Sequence, residues 1–204
     1  MGVTIVVDYE NIPSKAKNMR DYAKQINEKL LDIYQKLTDM HNYWYGSKYN
    51  ELINGYNRII PGFNQFLETI VLELPSAFEM IANNISNVDI QKNITTVQKD
   101  APKKITEVSV GKESELKYVK TEVEKIQQVI EKDFKETCSL IENISKIVAQ
   151  IGITCNGFTE FKTQINKLVK TYSEKINTIL KEFSSYMSVV KTQMELAEKA
   201  NTKN

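Results

Sequence analysis

Few side chains in this chain are of the types that do covalent or metal chemistry. Histidine occurs once, at His41, and cysteine twice, at Cys138 and Cys155. One imidazole with no thiol or carboxylate cluster beside it cannot furnish a His-rich metal set. Two distant thiols without a Cys-x-x-Cys spacing make neither a disulfide framework nor a zinc site. Both fall on apolar-periodic positions, where a buried thiol behaves as a small hydrophobe. His41 stands beside a helix end and is expected to be solvated or close to a cap. Serine and threonine are scattered, with no nucleophile elbow and no glycine-rich phosphate loop. The carboxylates sit between apolar positions, on the solvent side of helices, where ion pairing explains them. The expectation is therefore a protein that is not an enzyme and needs no metal or cofactor.

What remains is the framework that could present a contact surface. The chain has 204 residues, enough for one large domain or two small ones. Twenty-seven basic and 26 acidic side chains leave a formal charge of +1, which argues against nucleic acid as a partner. Seven glycines and four prolines are few, so turns are few and elements long. No stretch approaches the ~20 apolar residues of a membrane span, so a membrane partner is not expected. The start, Met1 to Asp8, is too short and lacks the basic region of a signal peptide. Val6 stands where myristoylation wants Ser or Thr. Export, if it occurs, is expected to use no cleaved leader.

Four stripes of apolar residues recur at alternating steps of four and three, the mark of seam-forming helices. The first runs Ile12, Ala16, Met19, Ala23, Ile26, Leu30, Ile33, Leu37, Met40 to Trp44. The second runs from Tyr49 and Leu52 through Tyr56, Ile60, Phe63, Leu67, Ile70 and Leu74 to Ala77 and Ile81. Pro61 and Pro75 lie inside it and should bend or interrupt it, since each removes a helix hydrogen bond. The third begins at Leu116 and passes Val123, Ile130, Phe134 and Ile141 to Cys155. The fourth runs Phe161, Ile165, Leu168, Tyr172, Ile176, Ile179, Phe183, Tyr186, Val190, Met194 to Ala197, and the polar tail Asn201 to Asn204 should fray. Between the second and third, residues 96–112 form a linker in which Pro102 disfavours helix and Ile105–Val110 has an extended character.

The layout predicts an all-α fold of two tandem antiparallel helical hairpins, residues 1–95 and 113–204, forming a four-helix bundle. Each half opens on a short extended segment, Val3–Val7 and Ile105–Val108. Each then turns at a break between two seam helices. In the first half the break is Trp44-Tyr45-Gly46, and the sequence places Cys155-Asn156-Gly157 opposite it. Glycine permits the close reversal there, and tryptophan closes the open end of the seam.

Trp44-Tyr45-Gly46, set between the seam helix from Ile12 and the aromatic helix from Tyr49, resembles the WXG family of helical hairpins exported by type VII secretion in Gram-positive bacteria. The resemblance covers roughly residues 3–95, with a degenerate second copy after it. It implies a hairpin that pairs with another hairpin and leaves the cell without a cleaved signal. It implies as partners the secretion machinery and a larger exported protein, the chain being substrate or escort. It further implies an export signal of the form Tyr-x-x-x-Asp/Glu, which Tyr118 to Glu122 matches. Tandem copies suggest that the second hairpin is the first one's partner, a pseudo-dimer, with self-association as the competing arrangement. Counted from about Asn93 to Lys112, twenty extended residues reach ~65 Å, against ~45 Å for a thirty-residue helix, so the connection is long enough.

Two other functions fit the pattern. Residues 59–90 are apolar enough to suggest a membrane-active, pore-forming protein that hides an apolar hairpin, although Glu68, Glu73 and Glu79 interrupt them and Pro61 and Pro75 bend them, so core is the better reading. A structural coiled coil that stays inside the cell is the other.

Overall fold

The first apolar stripe becomes helix α1, Ile12–Met40. Every residue of its seam is buried, from Ile12 at 1% exposure to Trp44 at 0%. Asp8 and Asn11 build its start. The Asp8 carboxylate accepts the Asn11 amide and backbone N–H, and those two bonds hold its pKa below the usual carboxylate value. The Asn11 carbonyl then accepts from Lys15 N–H and Ser14 Oγ. The computed structural model describes residues 6–98, 101–111 and 114–201. The expected extension at Val3–Ile5 and the tail beyond Asn201 lie outside the described residues.

The chain is an all-α helical bundle with a few two-residue strands. In chain order they are β1 (Val6–Val7), α1, β2 (Trp44–Tyr45), α2 (Ser47–Leu67), a π-helical stretch (Glu68–Glu73), α3 (Leu74–Asp89), β3 (Lys117–Tyr118), α4 (Lys120–Ala149), β4 (Ile153–Thr154) and α5 (Asn156–Asn201). Neither proline breaks the second helical run. Pro61 lies within α2, and Pro75 within the first turn of α3, where a missing N–H is tolerated. The strain is taken up just ahead of Pro75, where Leu74 N–H reaches back five residues to Thr69 O. That turn takes in one residue more than an α turn, and the buried line slips by one. Phe78 and Ala82 are buried, whereas Ala77 and Ile81, expected from the seven-residue spacing, are half-buried. At the third stripe the helix starts at Lys120, so Leu116 lies outside it and is 64% exposed.

The fold divides into two compact units. Unit 1 comprises Met1–Glu28, Asn64–Lys104 and Thr137–Glu174; unit 2 comprises Lys29–Phe63, Ile105–Glu136 and Lys175–Asn204. Neither coincides with a half of the sequence, because the long helical runs contribute to both. In unit 1, Phe78 packs near Phe158 (ring centroids 6.4 Å) and Phe66 lies 4.1 Å from the Tyr172 ring. Arg20 forks onto Glu79 through two 2.6 Å bonds, with the carboxylate side chain 3% exposed. In unit 2, Phe134 faces Phe183, and Lys29 bridges to Asp133 and Glu136.

Among its described residues the segment between α3 and β3 forms no ladder, yet side chains hold its backbone. In unit 1, Asn83 Oδ1 accepts the N–H groups of Ile94 and Thr95 and Nδ2 donates to Thr95 O. Glu79 accepts Gln98 N–H while Arg20 and Ser76 donate to Gln98 O. Asn27 takes both the N–H and the C=O of Lys103. In unit 2, Asn57 does the same to Val108 and Asn50 to Gly111. Asn27, Asn50, Glu79, Asn83 and Ser86 are all nearly buried, and the connecting segment is what satisfies them.

Candidate functional site

The turn after α1 lies in unit 2. Helix α1 ends through bonds from His41 N–H to Thr38 O and Tyr43 N–H to Met40 O. Trp44 and Tyr45 then extend as β2, and Gly46 reverses the chain with φ +124°, in the left-handed region that favours glycine. A Cβ there would lie 3.2 Å from the Glu115 carbonyl oxygen and 3.2 Å from Leu116 Cδ1. Helix α2 starts at once with Ser47, its Asn50 N–H bonded to Gly46 O.

The structure brings the two motifs of the sequence together. Strand β2 pairs antiparallel with β3, Trp44 opposite Tyr118 and Tyr45 opposite Lys117. The indole and the Tyr118 ring meet edge to face, centroids 5.8 Å apart at 88°. Val119 N–H donates to Tyr43 O at 2.9 Å, and Lys117 Nζ to Asn42 O at 2.7 Å. Tyr118 is half-buried; burial raises its phenol above the ordinary value, and Glu124 adds to the effect. Glu122 lies in the first turn of α4, where the positive helix end favours a carboxylate, and pairs with Lys125 at 2.7 Å.

Trp44 itself offers no exposed edge. It is 0% exposed and its Nε1 has no partner. Any recognition surface here consists of its surroundings, with Tyr43 at 37% and Leu116 at 64% exposure. His41 stands at the end of α1, as the cap-proximal expectation has it, and is not solvated. It is half-buried between the Tyr45 and Tyr49 rings, at 5.9 and 5.1 Å, with Nδ1 buried and unpartnered.

The second turn, in unit 1, corrects the expected correspondence. After α4 the chain extends as Ile153–Thr154, which pairs with Val6–Val7. Cys155 follows, and α5 begins at Asn156. Aligned on strand and helix start, Trp44-Tyr45-Gly46 matches Ile153-Thr154-Cys155, two residues ahead of the expected Cys155-Asn156-Gly157. Ile153, 3% exposed, takes the place of tryptophan. Gly157 is already inside the helix, with nothing within 4 Å of a Cβ, so no reversal depends on it. The close approach belongs to Gly152, whose carbonyl accepts Asp8 N–H at 2.8 Å and whose Cβ would stand 2.6 Å from Asp8 Cβ. Cys138 is buried as expected, while Cys155 is half-buried; both are free thiols. The extended segment equivalent to β1 is β3, not Ile105–Val108.

Unit 2 also holds an apolar cavity of about 290 Å³ lined by Leu37, Leu52, Gly55, Tyr56, Phe134 and Phe183 among others. Tyr56, 7% exposed, has a hydroxyl without a partner, and burial raises its pKa. Among the described residues no group of His, Cys, Asp and Glu could hold a metal ion. No helix of the described residues is long and apolar enough to cross a membrane.

Sequence reasoning missed Asn27, Asn50, Asn57 and Asn83, which hold the connecting segment. A signal existed, since asparagine is a poor helix former that competes for backbone partners. Comparison with family models, curated proteins and solved structures finds no match.

Proposed function

We propose that the protein is a type VII secretion substrate or escort that acts by binding other helical proteins and carries out no catalysis. The observation that supports this reading is the pairing of the Trp44-x-Gly46 turn with the strand that carries Tyr118. A turn motif and an export-signal pattern, 74 positions apart in the chain, form one small surface whose exposed parts are Tyr43, Leu116 and Lys117. The pseudo-dimer reading has similar support. Each turn strand, β2 and β4, pairs with the strand that precedes the other half's first helix, β3 and β1. One chain would then supply both members of a hairpin pair, leave the cytoplasm folded and be found outside the cell.

The test compares culture supernatant with cell pellet, with and without the type VII ATPase. Export that requires the ATPase, and falls with Tyr118→Ala or Glu122→Gln, is the expected result. Equal retention in both strains would overturn the reading. Trp44→Ala is a poor probe, because deleting a fully buried indole costs about 3–5 kcal/mol and threatens the fold; Trp44→Phe is the better variant.

A further inference from the structure

The cavity of about 290 Å³ in unit 2 lies among α1, α2, α4 and α5. Leu37, Tyr56, Ile130 and Phe134 form its inner wall, and all are buried. Glu51, Gly55 and Glu182 form its open side, and all are exposed. At ~30 Å³ for each water, the space is that of roughly ten waters. It falls at the lower end of ligand pockets, which run from roughly 300 to 1,000 Å³. One ring or a short branched chain fits such a space; a nucleotide does not.

Two costs to stability meet at this place. A void walled by apolar side chains weakens a core. Glycine in the interior of a helix weakens the helix, and Gly55 is the ninth residue of α2, Ser47–Leu67. Its φ is not in the left-handed region. A Cβ there would meet nothing within 4 Å, so close packing does not call for glycine either. What the missing side chain does is leave the cavity open to solvent. Local rules broken together in this way mark sites of function.

The lining also has a sign. Among the described residues it carries two carboxylates, Glu51 and Glu182, and no lysine or arginine. Glu51 is already shared, since Lys48 Nζ lies 2.8 Å from its Oε2 and the Tyr186 hydroxyl 3.1 Å from the same atom. The Glu182 side chain has no ion pair or hydrogen bond among the described residues. Four aromatic residues line the space, Tyr56, Phe134, Phe183 and Tyr186, and ring faces attract cations. Tyr186 stands one helical turn beyond Glu182, on the same side of α5.

We infer that this cavity binds a small organic cation, an apolar body of about one ring with an alkylated ammonium at one end. The body enters against Leu37, Ile130 and Phe134, and the nitrogen stays at the rim between Glu182 and the Tyr186 ring. That orientation selects a free ligand. The choline headgroup of a lipid would enter nitrogen first and set its phosphate against the two carboxylates. A methylated lysine of another protein would likewise carry its charge past Glu182 to the apolar end. The inference goes beyond the export reading and does not depend on it.

The probe is benzyltrimethylammonium, titrated into the full chain by isothermal calorimetry. Saturable binding with Kd on the order of 0.1 mM is expected for a ligand of this size. Neopentylbenzene, the same shape with carbon in place of nitrogen, should bind ~10-fold more weakly. Glu182→Gln should weaken the cation by about 2–5-fold, as for an exposed ion pair, and leave neopentylbenzene unaffected. Gly55→Leu should abolish binding of both by filling the mouth, while improving the helix. Thermal melting checks that this variant is folded; if it is not, Ile59→Phe, one turn further along α2, fills the same space. No saturable binding of the cation, equal affinity for its neutral counterpart, or binding that survives the filled cavity overturns the inference.

Discussion

Gly46 and Gly157 were placed in equivalent turns by the sequence, and the structure makes them opposites. Gly46→Ala puts a Cβ on a residue at φ +124°, 3.2 Å from a backbone carbonyl oxygen. Holding an L-residue in such a region costs about 1–3 kcal/mol. The carbonyl cannot swing aside freely, because Glu115 immediately precedes Leu116 and strand β3. A loss of about 2–3 kcal/mol is expected, near the upper part of that range. For a chain of this size each kcal/mol moves the melting midpoint by about 2–4 °C, so the midpoint should fall by roughly 4–12 °C. Gly157→Ala meets nothing within 4 Å at a helical position. Relief of glycine's backbone entropy there should stabilise by about 0.5 kcal/mol and raise the midpoint by about 1–2 °C. Thermal melts followed by far-ultraviolet circular dichroism measure both. If both variants lose stability to a similar extent, Gly157 is the reversing residue and the match of Ile153-Thr154-Cys155 to Trp44-Tyr45-Gly46 is wrong.

Lys29 lies against Asp133 and Glu136, and hydrogen bonds to the two carboxylates, Asp133 first, hold its pKa above the ordinary lysine value. Its bond to Glu136 holds that carboxylate below its ordinary value. The Glu136 contribution is present above the unfolded carboxylate pKa and lost as pH falls through the lower folded value. The Lys29 contribution is present below the unfolded lysine pKa and lost as pH rises through the higher folded value. Lys29→Met should cost about 1 kcal/mol at neutral pH, allowing for the solvent that reaches the ammonium. It should also flatten both arms of a urea-midpoint profile against pH; unchanged arms would show that the pair contributes nothing. Burial pushes the Cys138 thiol up to about 11, whereas Cys155 is half-buried. A thiol reagent at mildly alkaline pH should modify Cys155 well before Cys138, and peptide mapping reads the order.

Helix α1 was legible because its seven-residue pattern runs unbroken and every seam position meets the core. The fold class followed from that pattern and from the scarcity of turn residues. Positions after Leu74 were misplaced because hydrophobic spacing alone carries no sign of a π turn. In α5, Ile165, Ile176, Phe183 and Val190 were located, but Val169, Leu180 and Met187 are buried where Leu168, Ile179 and Tyr186 were expected, the stripe being wider than a two-position seam. The meeting of Trp44 with Tyr118 was invisible, since two-residue strands leave no alternation to read. The asparagines were legible as poor helix formers on helical faces, but the groups they serve were not, because those partners are backbone atoms with no identity in the sequence. Gly157 misled because a glycine beside a helix start looks the same whether it reverses the chain or merely begins the next turn.

The π stretch Glu68–Glu73 has a consequence for how the helical run from Ser47 to Asp89 can change in length. Deleting one residue from a regular helix rotates everything beyond it by about 100°, which would swing Phe78 and Ala82 off their packing side. A deletion within Glu68–Glu73 differs, because that turn already carries one residue more than an α turn needs. Losing it would let the run close into continuous α-helix with Leu74, Phe78, Ala82 and Ser86 still pointing inward. Slack in this helical run is thus concentrated in one turn, where a codon can be lost with the residues beyond it keeping their buried side.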